Sequence, residues 1–110
     1  MVQKWYEVAT KTLDPGDSIH KSYPGNLDGD AGYLCISHKR LVFVNIKGLF
    51  SKKYNVIMNV PFTDISELDS TDRNKLLISS NGKRYRINLD IGNTEKIIKE
   101  INELRQELIA

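Results

Sequence analysis

The stretch that decides the fold is residues 32–46, GYLCISHKRLVFVNI. Two apolar runs flank His38 and Lys39, so they predict an antiparallel hairpin that turns at these two residues. Directly opposed residues in such a pair point to the same face of the sheet. One face therefore carries Leu34, Ile36, Leu41 and Phe43, and the other carries Tyr33, Cys35, Val42 and Val44. Both faces are apolar, which is typical of strands that have something packed on each side.

The neighbouring segments predict further strands separated by turns. The expected order is a strand over 18–23, an acidic loop over 24–30, the hairpin, a loop over 47–53, a strand over 54–60, an edge strand over 63–69 and a turn over 69–72. Pro15 and Gly16 break the chain ahead of the first of these strands. The strand over 54–60 places Val56, Met58 and Val60 on one face and ends at Pro61, since proline has no N–H to donate to a sheet.

A second hairpin is marked by Asn81 and Gly82, which stand between two apolar-rich runs. This dipeptide is the signature of a two-residue turn of type I′, in which both residues need a positive φ. The resulting opposed pairs are Leu76–Ile87 and Ile78–Tyr85. Because these four side chains share a face, the second hairpin predicts the same kind of apolar inner wall as the first.

Both ends of the chain show helical spacing instead. The apolar residues near the start predict a short helix or turn within 1–14 that lays Trp5 against the rest of the domain. From Thr94 onward the apolar period changes from two to 3.6. The predicted buried face of the helix carries Ile97, Ile101, Leu104 and Leu108, and the predicted solvent-exposed face carries Glu100, Glu103 and Glu107. Asn93 or Thr94 is expected to cap the helix N-terminus.

Residues 1–110 are therefore predicted to form a single domain, mainly β with a C-terminal α-helix. Seven short antiparallel strands would curl into a partial barrel, and the helix would cap one mouth. This is the architecture of the pleckstrin-homology (PH) superfold.

Three short motifs carry a closer resemblance. The run Gly32-x-Leu34-x-Ile36-Ser37-x-x-Arg40-Leu41-x-Phe43 resembles the central hairpin of GRAM domains and of small prokaryotic PH-like domains. Val60-Pro61-Phe62-x-x-Ile65 resembles a following step of the same families. Leu13-x-Pro15-Gly16-Asp17-x-Ile19 resembles their approach to the first strand, with Asp where they have Glu. The resemblance implies a PH-like, GRAM-type binding domain over nearly the whole chain.

The composition excludes several classes of function. A net charge of +2 is too small to indicate nucleic acid or an anionic membrane by itself. The single cysteine, Cys35, rules out an internal disulfide and a cysteine zinc site, and it is expected to be a packing residue. No apolar run approaches the roughly 20 residues of a membrane helix, and the first eleven residues lack the apolar core of a signal peptide. We therefore expect a cytoplasmic protein without a transmembrane segment.

No catalytic or cofactor-binding set can be assembled from the sequence. The two histidines lie in separate segments, and no glycine-rich phosphate loop opens a helix. Asn26, Asp28 and Asp30 alternate like the start of a calcium loop, but Ala31 stands where that loop requires glycine. We therefore predict no enzymatic activity, no cofactor and no metal.

The loop over 47–53 supplies the candidate contact residues for a membrane. These are Lys47, Leu49, Phe50, Lys52 and Lys53, and the 83–84 turn adds Lys83 and Arg84. Two interpretations are open. In the first, which the sequence favours, Phe50 folds back onto the rim of the barrel. In the second, the apolar tip enters the membrane interface while the lysines are drawn to anionic headgroups.

A protein partner, or a second copy of the chain, is the ligand that the sequence favours. Asp28 and Asp30 emerge at the same end as the lysines, and lipid-binding PH members have a basic cluster there, so that lipid site is not carried over. Docking is expected in the groove beside the C-terminal helix or at the edge strand, at Ile65, Ser66, Glu67 and Leu68. Anionic phospholipid is the alternative. Nucleic acid ranks last, because Tyr and Arg do not alternate along one strand face.

Overall fold

The computed structural model describes residues 3–90 and 92–109. The predicted extension over 1–14 therefore begins outside the described residues. In chain order the elements are α1 (Lys4–Thr10), β1 (Ile19–Leu27), β2 (Asp30–Ser37), β3 (Arg40–Lys47), β4 (Lys53–Pro61), a 3₁₀ turn (Phe62–Asp64), β5 (Ile65–Asp72), β6 (Lys75–Ser80), β7 (Lys83–Leu89) and α2 (Thr94–Ile109). The strands form one open antiparallel sheet in the order β4-β3-β2-β1-β7-β6-β5. The predicted mainly β fold with a C-terminal helix is confirmed.

The central hairpin has the predicted register. Ile36 lies opposite Leu41, and Leu34 lies opposite Phe43. These four side chains expose no surface and belong to the main core. Two neighbouring strands with a shared apolar face must be covered by other elements, and here the rest of the sheet and α2 bury this face.

The second face of the hairpin is covered by α1. Cys35, Val42 and Val44 are buried in a separate cluster together with Ala9 of that helix. Trp5 stacks on Tyr33 with 3.9 Å between ring centroids and 8° between ring planes. The short N-terminal helix was expected from the sequence, and its contact with β2 and β3 explains why both faces of the hairpin are apolar.

The β6–β7 hairpin also follows the prediction. Asn81 and Gly82 have φ values of 51° and 80°, as the type I′ turn requires. The opposed pairs are Leu76–Ile87 and Ile78–Tyr85. The helix α2 adds Ile97, Ile101 and Leu104 to the same core, and Asn93 caps it by accepting a hydrogen bond from the Lys96 N–H at 3.3 Å.

Two predictions about β1 and β5 are wrong. β1 does not end near residue 23 but continues through Pro24 and Gly25 to Leu27, and the expected acidic loop is a two-residue turn at Asp28 and Gly29. Both turn residues have a positive φ, 49° and 90°. β5 in turn extends over the predicted turn at 69–72, and the chain reverses at 73–74 instead.

A β-bulge corrects the predicted alternation in β4. Phe43 pairs with Met58, but the next residue of β3, Val44, pairs with Val56, so Ile57 is the extra residue. The bulge shifts the parity of the strand. Val56 therefore lies on the face opposite to Met58 and is 36% exposed, rather than sharing the core face.

The helix α2 is tied to the sheet by polar contacts as well. Glu100, which was expected to face water, accepts hydrogen bonds from the Tyr23 hydroxyl and the Lys21 ammonium, both at 3.2 Å. The buried Thr94 hydroxyl donates to the carbonyl groups of Asp72 and Arg73. Neither helix described here has the length and apolar composition needed to cross a bilayer.

Candidate functional site

The loop between β3 and β4 carries two apolar side chains that are in full contact with solvent. Leu49 is 89% exposed and Phe50 is 102% exposed. The interpretation that Phe50 folds back onto the rim of the sheet is therefore wrong. We call Leu49 and Phe50, with the flanking Lys47, Lys52 and Lys53, the apolar tip.

The turn that presents the apolar tip depends on Gly48. Its φ is 101°, which L side chains rarely adopt, and a Cβ there would lie 2.4 Å from the Ser51 carbonyl oxygen. The close approach of residues 48 and 51 leaves Leu49 and Phe50 at the apex of the loop. Their exposure therefore follows from the local backbone geometry.

The three lysines of the tip surround the apolar residues with positive charge. All three are exposed, and within the described part of the chain none forms an ion pair with a carboxylate. Lys47 and Lys53 are directly opposed in the β3–β4 ladder. Directly opposed like charges destabilise an antiparallel pair, so an anion bound near Lys47 and Lys53 would reduce the repulsion between them.

The turn residues Lys83 and Arg84 are exposed and lie at the same end of the sheet as the tip. They lie three strand spacings from β3, or about 14 Å along a flat sheet. The Lys83 ammonium is 5.0 Å from the centroid of the Tyr85 ring. These two cations therefore extend the basic end of the sheet without joining the tip itself. The exposed Asp28 and Asp30 occupy the same end.

The predicted docking strand, β5, is one of the two terminal strands of the sheet, but its side chains are largely engaged in contacts within the molecule. Ile65 is buried, and Leu68 packs against the core. The Ser66 hydroxyl donates to the Ser79 carbonyl, and the Glu67 carboxylate accepts from the Ser79 hydroxyl at 2.9 Å. The strand and the turn before it expose Asp64, Glu67, Asp69 and Asp72.

A groove lies beside the C-terminal end of α2, where the sequence also allowed docking. Its volume is about 150 Å³, and it is lined by Phe62, Thr63, Arg105, Leu108 and Ile109. Leu108 was predicted to be part of the buried face, but it is 38% exposed, and Ile109 is 84% exposed. The helix extends beyond the sheet here, so its last apolar side chains remain exposed to solvent. We call this feature the α2 groove.

The polar residues of the resemblance motifs hold the β2–β3 turn together. The Asp17 carboxylate, whose side chain is fully buried, accepts hydrogen bonds from the Ser37 hydroxyl at 2.7 Å and from the His38 N–H at 3.0 Å. Arg40 forms an ion pair with Asp14 at 3.3 Å and donates to Asn59. These motif residues therefore serve the fold, and they identify no ligand.

Comparisons with known proteins support the fold alone. No family model and no curated protein matches the chain. Among solved structures, the C-terminal domain of an unknown protein from Leishmania infantum is similar, with a TM-score of 0.60 over 92% of each chain. The two sequences are 11% identical, so the likeness carries no argument about a ligand.

Proposed function

We propose that this chain is a non-catalytic, PH-like domain of GRAM type that attaches peripherally to an anionic membrane through the apolar tip. The observation that carries the proposal is the full exposure of Leu49 and Phe50 between three exposed lysines that form no ion pair with any described residue. The strand order and the C-terminal helix are compatible with a PH-like fold. Apolar side chains that enter the interface, with lysines beside them, are the usual means of such attachment.

The contributions expected from these side chains favour weak, reversible binding. Each lysine adds roughly 1 kcal/mol near an anionic surface, and salt screens that attraction. Phe50 adds about 1.5–3 kcal/mol if it is fully buried and less for a shallow contact. Asp28 and Asp30 at the same end oppose the lysines, so the apolar contribution is needed for attachment.

Co-sedimentation with vesicles tests the proposal. Wild type should bind vesicles that contain phosphatidylserine at low salt, and it should bind less at high salt and to neutral vesicles. Lys52→Glu with Lys53→Glu should abolish binding. Phe50→Ala should weaken it at both salt concentrations, because the contribution of the ring is not electrostatic. The matched control is Lys96→Glu with Lys99→Glu, which makes the same charge change on the exposed face of α2. A wild-type protein that does not co-sediment with anionic vesicles at low salt would refute the proposal.

Protein docking at β5 is a second candidate function, favoured by its position as a terminal strand with four exposed carboxylates nearby. A terminal strand can pair with an extended peptide, and the carboxylates would select a basic one. Fluorescence anisotropy with a labelled peptide of alternating Lys and Val tests this. Peptide binding that is unchanged by Asp69→Lys would argue against docking at β5.

A further inference from the structure

Among the described residues, the most exposed large apolar side chains, Leu49, Phe50 and Ile109, lie near opposite ends of one strand. The apolar tip precedes β4, and the α2 groove adjoins the 3₁₀ turn that follows it. The nine residues of β4 span about 26 Å at roughly 3.3 Å per residue. A tip therefore cannot reach the α2 groove of its own copy, and any contact between the two must join different molecules.

The α2 groove matches the ring of Phe50 in size and polarity. Its volume of about 150 Å³ is close to that of an enclosed, engineered apolar cavity that binds benzene, although the groove is open to solvent on one side. Phe62, Leu108 and Ile109 supply apolar walls. The phenyl ring is the part of the tip that contacts nothing else in its own copy, since Phe50 is fully exposed. A ring seated between these side chains would remove apolar surface from water on both partners.

Exposed acidic residues adjoin the groove lining in sequence, whereas the tip is basic. Asp64 directly follows Thr63 of the groove, and Glu107 directly precedes Leu108, and both carboxylates are exposed. The groove contains one cation, Arg105, whose guanidinium donates to Asn102 at 3.3 Å. The tip brings Lys47, Lys52 and Lys53 without an acid among them. Opposite charges at the rim of a contact favour the encounter of the two surfaces.

We propose that the apolar tip of one copy binds in the α2 groove of a second copy. The contact is heterologous, because two different surfaces meet, so each added copy leaves one tip and one groove open. The expected assembly is a short linear chain that grows with concentration. A contact made by one loop and one groove is small, and small interfaces are weak and transient. This proposal goes beyond membrane attachment and stands independently of it, although one tip cannot serve both at once.

Sedimentation equilibrium tests the proposal with two complementary variants. The weight-average mass of wild type should rise with concentration beyond that of a dimer. Phe50→Asp and Leu108→Asp should each remain monomeric at the same concentrations. An equimolar mixture should associate again, because the first variant keeps its groove and the second keeps its tip. That mixture should stop at twice the chain mass, since no further open surfaces remain.

Controls separate this contact from misfolding and from the membrane proposal. Val56→Asp adds a charge at another exposed apolar position and should associate like wild type, and Ile109→Asp, at an 84% exposed position, should repeat the effect of Leu108→Asp without a risk to the fold. Leu108→Asp should still bind anionic vesicles, whereas Phe50→Asp should lose both properties. Wild type that stays monomeric, groove variants that still associate, or a mixture that stays monomeric would each overturn the proposal.

Discussion

Replacing Phe43 with alanine tests the arrangement of the core directly. The ring exposes no surface and lies on β3 between Leu34 of β2 and Met58 of β4. β2 is held on its other side by β1, so it cannot move in to fill the space, whereas β4 is a terminal strand that pairs with β3 alone. Loss of a buried phenyl ring without collapse costs about 3–5 kcal/mol, against a total stability of about 5–15 kcal/mol for a domain.

Urea unfolding followed by circular dichroism measures this loss. At a slope of about 1.5–2 kcal/mol per molar urea, the midpoint should fall by roughly 1.5–3 M with the slope unchanged. Val56→Ala is the matched control, because Val56 belongs to the same sheet but is 36% exposed, and it should cost less than about 1 kcal/mol. A loss below about 1 kcal/mol for Phe43→Ala would refute the assigned register and the single core.

Two further predictions follow from a half-buried tyrosine and a buried cysteine. Desolvation and the neighbouring Glu100 carboxylate raise the pKa of Tyr23 to about 12, so the folded state holds this proton above the pKa of about 10 in the unfolded chain. The contribution of Tyr23 to the free energy of unfolding should therefore be fully present below pH 10 and should fall between about pH 10 and 12. Tyr23→Phe should remove this contribution, so in urea titrations its stability should fall less between pH 9 and pH 11 than that of the wild type. Burial raises the pKa of the Cys35 thiol to about 12, so iodoacetamide at pH 8 should label it only after unfolding. Trp5→Ala should accelerate labelling by loosening α1, and native protein that labels like a free cysteine would contradict the position of this helix.

The parts of the fold that could be predicted from the sequence are those set by local rules. Alternation fixes which residues share a face, and Asn81-Gly82 fixes the register of the hairpin that it closes. The period of 3.6 after Thr94 required a helix. These signals lie within a few residues of the structure that they determine, and both hairpins formed as expected.

The errors arose where distant parts of the chain decide the local structure. Pro24 and Gly25 looked like a break, but Gly25 lies inside β1 because β7 passes close by: a Cβ there would be 2.3 Å from the Asn88 carbonyl oxygen. The true turn, Asp28-Gly29, is itself a two-residue hairpin signature and could have been recognised. The bulge at Ile57 could not have been recognised, because the residues on both sides of it are apolar and allow either assignment of side chains to the two faces of β4.

The apolar tip was recognised from the sequence, but its exposure depends on the geometry of one turn. Folding alone gives no reason for the residues found there. It favours neither two large apolar side chains in water nor Lys47 opposite Lys53 in a ladder, whereas the turn itself requires only Gly48. Natural sequences break local rules chiefly where function requires it. Because several such violations fall within seven residues of one loop, they support the proposal that this loop is a contact surface for an anionic and partly apolar partner.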